Sequence, residues 1–206
     1  VILHQLKDAT RAQHTALETA VGEQLGFGQT PVTLERYKTL LQRFWGFYAP
    51  LEACIWTRPE WQAQPFQIEQ RSKAPRLLHD LQVLGAAQKP LSQCDELPII
   101  AEWPQVLGCL YVLEGATLGG QIIARHLKRE LNIDAESGTA FFNSYGAEVG
   151  PMWQAFGALI SSQVQTPHDV TIAVESAQQT FALFERWLND ESAMEVLCVE
   201  AGVHHV

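Results

Sequence analysis

Residues 33–55 read TLERYKTLLQRFWGFYAPLEACI, and the spacing of their apolar side chains decides the fold class. Leu34, Tyr37, Leu41, Phe44, Tyr48, Leu51 and Ile55 recur at steps of three and four, which puts them on one face of a long α-helix. A face that apolar requires other helices to cover it. Thr33 stands where an N-cap belongs, and Glu35 places a negative charge in the first turn, where it complements the helix dipole. The same logic recurs downstream: Pro75, Pro104, Pro151 and Pro167 each suit the first turn of a helix, where a missing N–H costs nothing. Val170, Ala173, Ala177, Phe181, Phe184 and Leu188 form a second stripe behind Thr166 as cap and Pro167 as first helical residue. No stretch sustains period-two alternation, and there is no Asn-Gly turn, Gly/Ser linker or internal repeat. The expectation is an all-α bundle, one domain over residues 1–206, built of about six to eight helices with any small-molecule site between them.

Composition narrows the function by exclusion. The chain carries 23 acidic against 14 basic residues, a formal charge of −9 that repels a nucleic-acid backbone and an anionic membrane surface alike. Glu102, Glu114, Arg125 and Arg186 interrupt the most apolar stretches, so no membrane span is expected. Cys54, Cys94, Cys109 and Cys198 lie far apart without a C-x-x-C pair; they read as reduced, mostly buried thiols of a cytoplasmic protein. The opening VILHQLKDAT lacks the pattern of a secretory signal.

Two segments stand apart from plain packing. In LKDATRAQHTALE (residues 6–18), Lys7, Arg11, His14 and Glu18 follow at steps of four, three and four, one helical stripe beside the core-facing Leu3, Leu6, Thr10, Leu17 and Val21. The stripe is either a solvated, charge-paired face or a site in which His14 ligates a metal and Glu18 orients its ring. In GCLYVLEGATLGGQII (residues 108–123), Gly115, Gly119 and Gly120 fall inside an apolar helical run. Each glycine costs about 1 kcal/mol against alanine there, and roughly 3 kcal/mol is a large share of the usual ~5–15 kcal/mol of domain stability. Either a close helix crossing or a flat ligand lying on the backbone compensates. No phosphate-binding glycine motif is present.

Together the two segments resemble the haem oxygenase family. LKDATRAQHTALE is similar to the family's first helix, which implies His14 as the proximal ligand to haem iron. LEGATLGGQ (residues 113–121) is similar to its distal helix, which implies Gly115, Gly119 and Gly120 against the haem face. GTAFF (residues 138–142) resembles the Phe-Phe turn that follows, with Phe142 in the pocket wall. The wording YVLEGATLGG is nearest the bacterial branch that includes phytochrome-associated enzymes.

The resemblance implies haem as substrate and cofactor, attacked by O2 to give biliverdin, carbon monoxide and iron. Electrons come from an external ferredoxin or flavoprotein reductase, and a bacteriophytochrome is a candidate acceptor of the product. Lys7 falls on a lysine that pairs with a haem propionate, seven residues and about 10 Å along a helix from His14. Arg11 lies in the same region, and Glu18 matches a partner of the proximal histidine.

Two departures stand out. Ala116 occupies the position of an aspartate that anchors distal water in better-known members, leaving backbone carbonyls, Thr117, Tyr111 or Tyr145 for that role. No Lys or Arg occurs between Arg129 and Arg186, where some members keep propionate partners. His126, in the basic run RHLKR (residues 125–129), reads as a solvated helix end or a docking surface for an acidic electron donor. His79 and His168 lie near helical charged residues, and the pair His204-His205 reads as a mobile tail. A non-catalytic haem carrier would use His14 and Lys7 equally well. A thiaminase-like enzyme of the same fold would need a nucleophilic thiol, for which Cys109 is the candidate.

Overall fold

The computed structural model describes residues 1–28, 30–88 and 90–190. Among these, nine α-helices and two 3-10 turns account for the regular structure: α1 (Ile2–Ala9), α2 (Arg11–Leu25), α3 (Leu34–Trp56), α4 (Ile68–Arg71), α5 (Ala74–Val83), α6 (Trp103–Leu131), α7 (Ala140–Asn143), α8 (Val149–Gln163) and α9 (Pro167–Asn189). Two of the nine, α4 and α7, are single turns, so the expected number of full helices holds. Cys198, His204 and His205 lie outside the described residues.

Helix α3 begins as its sequence dictates, with Thr33 Oγ1 accepting from Arg36 N–H. Its stripe is buried: Tyr37, Leu41, Tyr48, Leu51 and Ile55 are shut off from solvent, and only Leu34 at the end is exposed. Phe44 is ringed by Tyr48, Phe141, Phe142 and Phe184, with centroids 4.9–5.9 Å apart. This aromatic centre ties α3 to α7 and α9. Helix α9 starts with a full capping box between Thr166 and Asp169.

Proline does more than punctuate. Pro50 sits in the interior of α3 and gives no N–H to the carbonyl of Gly46, four residues back. Cys94 N–H, from the long segment between α5 and α6, donates to that carbonyl at 2.9 Å. Gly46 must be glycine for this to happen, because a Cβ there would lie 2.5 Å from the Ser92 carbonyl. A connection remote in sequence thus makes an interior proline tolerable.

The N-terminal segment also departs from the single helix expected of it. The chain breaks at Thr10 (φ −106°, ψ 7°), whose hydroxyl donates back to the Leu6 carbonyl at 2.7 Å. Lys7 therefore belongs to α1, whereas Arg11, His14 and Glu18 belong to α2. Helix α2 ends on Gly26 in the left-handed region at φ 78°, where an added side chain would strike Arg36 and Thr30.

Helix α6 is the spine of the bundle and packs along α9. Gly108 makes the tightest approach, because a Cβ there would lie 2.3 Å from the Ala173 carbonyl. The charge interruptions read from the sequence do not keep α6 below the length and apolarity needed to cross a bilayer, which corrects that expectation. More than half of its most apolar window is buried inside the protein, as in a core helix.

Candidate functional site

Helices α2 and α6 run in the same direction, and the residues flanking α2 approach α6 at each end. At one end Tyr111 lies beside Thr10, the residue before α2. At the other the Phe27 ring, just past α2, packs edge-on against His126 with centroids 4.4 Å apart. Between these points α6 turns an apolar stripe outward. Leu118 is 44% and Ile122 63% exposed, and Gly119 has nothing within 4 Å of where a Cβ would stand. Large exposed aliphatics flanking a bare backbone, on the helix that elsewhere forms the core, mark a surface built to be covered.

The glycines that the sequence presents together have different jobs. Gly115 and Gly119 are one turn apart on the open stripe, with the Trp153 ring 3.8 Å from the Cβ position of Gly115. Gly120 points the other way, and a Cβ there would lie 2.8 Å from the Phe142 carbonyl. Gly120 is the close crossing of α6 with α7. Thr117 is buried and donates to the Glu114 carbonyl of its own helix at 2.7 Å. Phe142 is buried among Tyr37, Phe44 and Phe141, and supports α6 through its backbone. The turn bearing it is pinned by Asp80, which accepts from Ala140 and Phe141 N–H at 2.9 and 2.8 Å. Burial, set against these two bonds, holds the Asp80 carboxyl above its ordinary range.

On α2, the His14 side chain is exposed, with Nδ1 3.3 Å from Glu18 Oε2 and its ring edge-on to Phe181 of α9 at 5.7 Å. A proton on Nδ1 facing that carboxylate leaves the Nε2 lone pair for a metal, the arrangement that orients histidine ligands generally. Lys7 is exposed one turn before the Thr10–Tyr111 contact. Arg11 is turned to Asp8 at 2.6 Å instead of toward the cleft. Tyr111 is half-buried beside Trp153, its phenol pushed above the ordinary range by burial. At the far end, Lys128 pairs with Asp134 and Arg129 with Glu130, so the basic run is partly neutralised. Cys109 is fully buried and bonded to Ser176 and Thr180; burial pushes its thiol up, which is the opposite of an activated nucleophile.

Of one further cluster, the sequence singles out only Tyr145 as a candidate. Glu114, 1% exposed, receives Arg71 Nη1 on one oxygen and Lys73 Nζ on the other, both at 2.6 Å. Tyr145 Oη donates to it at 2.8 Å, and Lys73 Nζ lies 3.2 Å from that phenol. Glu52 closes the group from α3, accepting from the N–H of Lys73 and Ala74 and from the Ser72 hydroxyl. In the sequence, Glu114 signals itself as a charge inside an apolar run. Its partners lie 43 and 41 residues upstream, around a single-turn helix that no periodicity announces.

Solved structures share this bundle. A haem oxygenase from Neisseria meningitidis superposes with a TM-score of 0.78 at 21% identity, over 95% of this chain and 92% of that one. Haem oxygenases from Leptospira interrogans and the cyanobacterium Synechocystis give TM-scores of 0.70 and 0.65 at 18% and 15% identity, covering 91% and 97% of this chain and 98% and 97% of theirs. The fold is thus the all-α haem oxygenase bundle. Sequence carries the assignment further: the "Heme oxygenase" family model matches residues 2–190. A Xanthomonas campestris protein named heme oxygenase is 33% identical over 129 residues, 59% of this chain and 70% of that protein. The chain belongs to the haem oxygenase family.

Proposed function

We propose that this chain cleaves haem oxidatively, holding it between α2 and α6 with His14 Nε2 on the iron. The observation that carries the reading is the open apolar stripe of α6, free of side chains at Gly119 and flanked by exposed Leu118 and Ile122, on the helix that approaches His14-bearing α2 at Tyr111 and His126. A flat, apolar, iron-bearing ring fits that face and that donor. When bound, haem supplies the reducible iron at which O2 is activated and the ring that is opened to biliverdin, carbon monoxide and iron.

The chain's own residues do the rest. Glu18 fixes the His14 ring, and Gly115 and Gly119 let the distal backbone approach the ring plane. Leu118 and Ile122 exclude water from its face. Lys7 and Tyr111, at the same end of the cleft, are placed to receive propionates. Electrons come from a separate ferredoxin or flavoprotein reductase in the cytoplasm, and the α6 end bearing Arg125 is the surface offered to it. A bacteriophytochrome is a candidate acceptor for the biliverdin.

The test is a haem titration followed by a reductant in air. A ferric absorption band that converts to a biliverdin-like spectrum is expected. A stable reduced complex without ring opening would make the protein a carrier, and absence of any haem band would sink both readings.

The two neighbouring glycines give a sharper check. Gly119→Ala adds a methyl to open space on a helix, so the haem-free protein is expected to gain about 0.5–1 kcal/mol, while haem affinity falls about tenfold (~1.4 kcal/mol). Gly120→Ala drives a methyl into the Phe142 carbonyl and is expected to cost about 1–3 kcal/mol of stability with or without haem. Thermal unfolding with and without haem separates the two, and similar behaviour of both variants would contradict the assignment of Gly119 to the cleft.

A further inference from the structure

The cleft side of α6 is bare at Gly119, so what stands behind this stretch sets how far its backbone reaches toward a bound ring. That support is α7. The Phe142 carbonyl meets the backbone at Gly120, and Gln121 Nε2 donates to the Asn143 carbonyl at 2.7 Å. Both contacts use backbone atoms of α7, so they move with the turn as a whole. Yet α7 is a single turn, Ala140–Asn143, too short to repay the entropy of fixing a helical nucleus. Bonds from other elements hold it. Asp80 of α5, wholly buried, accepts from Ala140 N–H with one carboxylate oxygen and from Phe141 N–H with the other. Tyr37 of α3, also wholly buried, donates its hydroxyl to the Gly138 carbonyl at 2.8 Å, just before the turn. Arg76 donates to the carbonyl of Ser144, just after it. Gly138 has φ 126°, and a Cβ there would lie 2.8 Å from the Leu84 side chain at the end of α5.

We infer that Asp80 and Tyr37 are positioning residues for haem binding: through α7 they fix the reach of the Gly119 backbone into the cleft, and with it the grip of α6 on the ring. This rests on the haem reading above and names the side chains that set the height of its distal wall. Neither residue reaches the surface, so neither acts by touching the ligand. A carboxylate kept in the interior against its desolvation cost has both oxygens committed to the geometry of one short turn. The lever is steep. A site whose wall must be ordered on binding loses affinity, and productive geometry tolerates displacements of only about 0.5 Å.

Asp80→Asn and Tyr37→Phe test this in the full chain, read by haem affinity and by the position of the ferric absorption band. The asparagine sets an amide N–H against a backbone N–H that needs an acceptor, and the phenylalanine leaves the Gly138 carbonyl without its donor. Asp80→Asn is expected to lower haem affinity about tenfold and to displace the ferric band, and Tyr37→Phe to lower affinity about threefold. Thr166→Ala, which removes the α9 cap, is the control for stability loss alone: it is expected to lower the unfolding midpoint by about 3 °C with haem affinity and band unchanged. Should Asp80→Asn fail to fold, Tyr37→Phe decides. Affinities within about twofold of wild type in the folded variants, or an equal loss in Thr166→Ala, overturn the assignment while leaving the haem reading intact. Absence of a haem band in wild type overturns both.

Discussion

His14→Ala is expected to abolish haem turnover while leaving the bundle folded. The His14 side chain is 53% exposed and its partner Glu18 67% exposed, so the pair contributes little to stability. Substitution at such a surface position usually shifts stability by no more than about 0.5 kcal/mol. The stripe of Leu118, Gly119 and Ile122 remains, so haem still binds, with a ferric band of altered position and lower affinity. Loss of a supporting partner to a metal ligand alone costs about 10- to 100-fold; loss of the ligand itself is expected to lower turnover by at least about 100-fold. Added imidazole, which replaces the missing donor atom, is expected to restore the wild-type band. Wild-type spectra and rates in the variant would return the stripe of Lys7, Arg11, His14 and Glu18 to a solvated, charge-paired face.

What the chain discloses before folding depends on whether the responsible residues are neighbours along a helix. The stripes of α3 and α9, the Thr33 and Thr166 caps and the first-turn prolines are local, and they appear as read. Pro50 is the counterexample. Its tolerance depends on Cys94 N–H, and nothing within α3 reveals that a remote segment supplies the lost bond. The break at Thr10 is similarly invisible to periodicity, because the hydrophobic register carries on across it while the backbone does not.

The glycines show the same limit inside the site. Adding their costs treats Gly115, Gly119 and Gly120 as one problem, yet the structure gives Gly120 a carbonyl to pack on and Gly119 open space. A further glycine, Gly108, pays for the closest helix crossing in the bundle without entering that sum at all. The open stripe at Gly115 and Gly119 was legible because its motif is continuous. The Arg71–Lys73–Glu114–Tyr145 cluster was not, because it is assembled from three separate segments.

That cluster sets the second large effect. Glu114→Gln keeps the shape but removes the one carboxylate shared by Arg71 and Lys73, whose side chains are each 3% exposed. Breaking a buried ion pair by deleting one partner costs about 3–5 kcal/mol, since the remaining charges stay desolvated. Glu52 offers no substitute, because its oxygens are already taken by Ser72 and by the backbone N–H of Lys73 and Ala74. For a chain of this size the loss is expected to lower the unfolding midpoint by about 10 °C. Replacing all three charged residues together by apolar ones of similar volume is expected to recover most of that stability, as buried ionic groups seldom outperform good apolar packing. The recovered triple variant then separates the cluster from the cleft: it folds like wild type and binds haem on the unchanged α6 stripe. A triple variant as unstable as Glu114→Gln would mean that the ion network itself, and not the rescue of two desolvated cations, holds α6 in place.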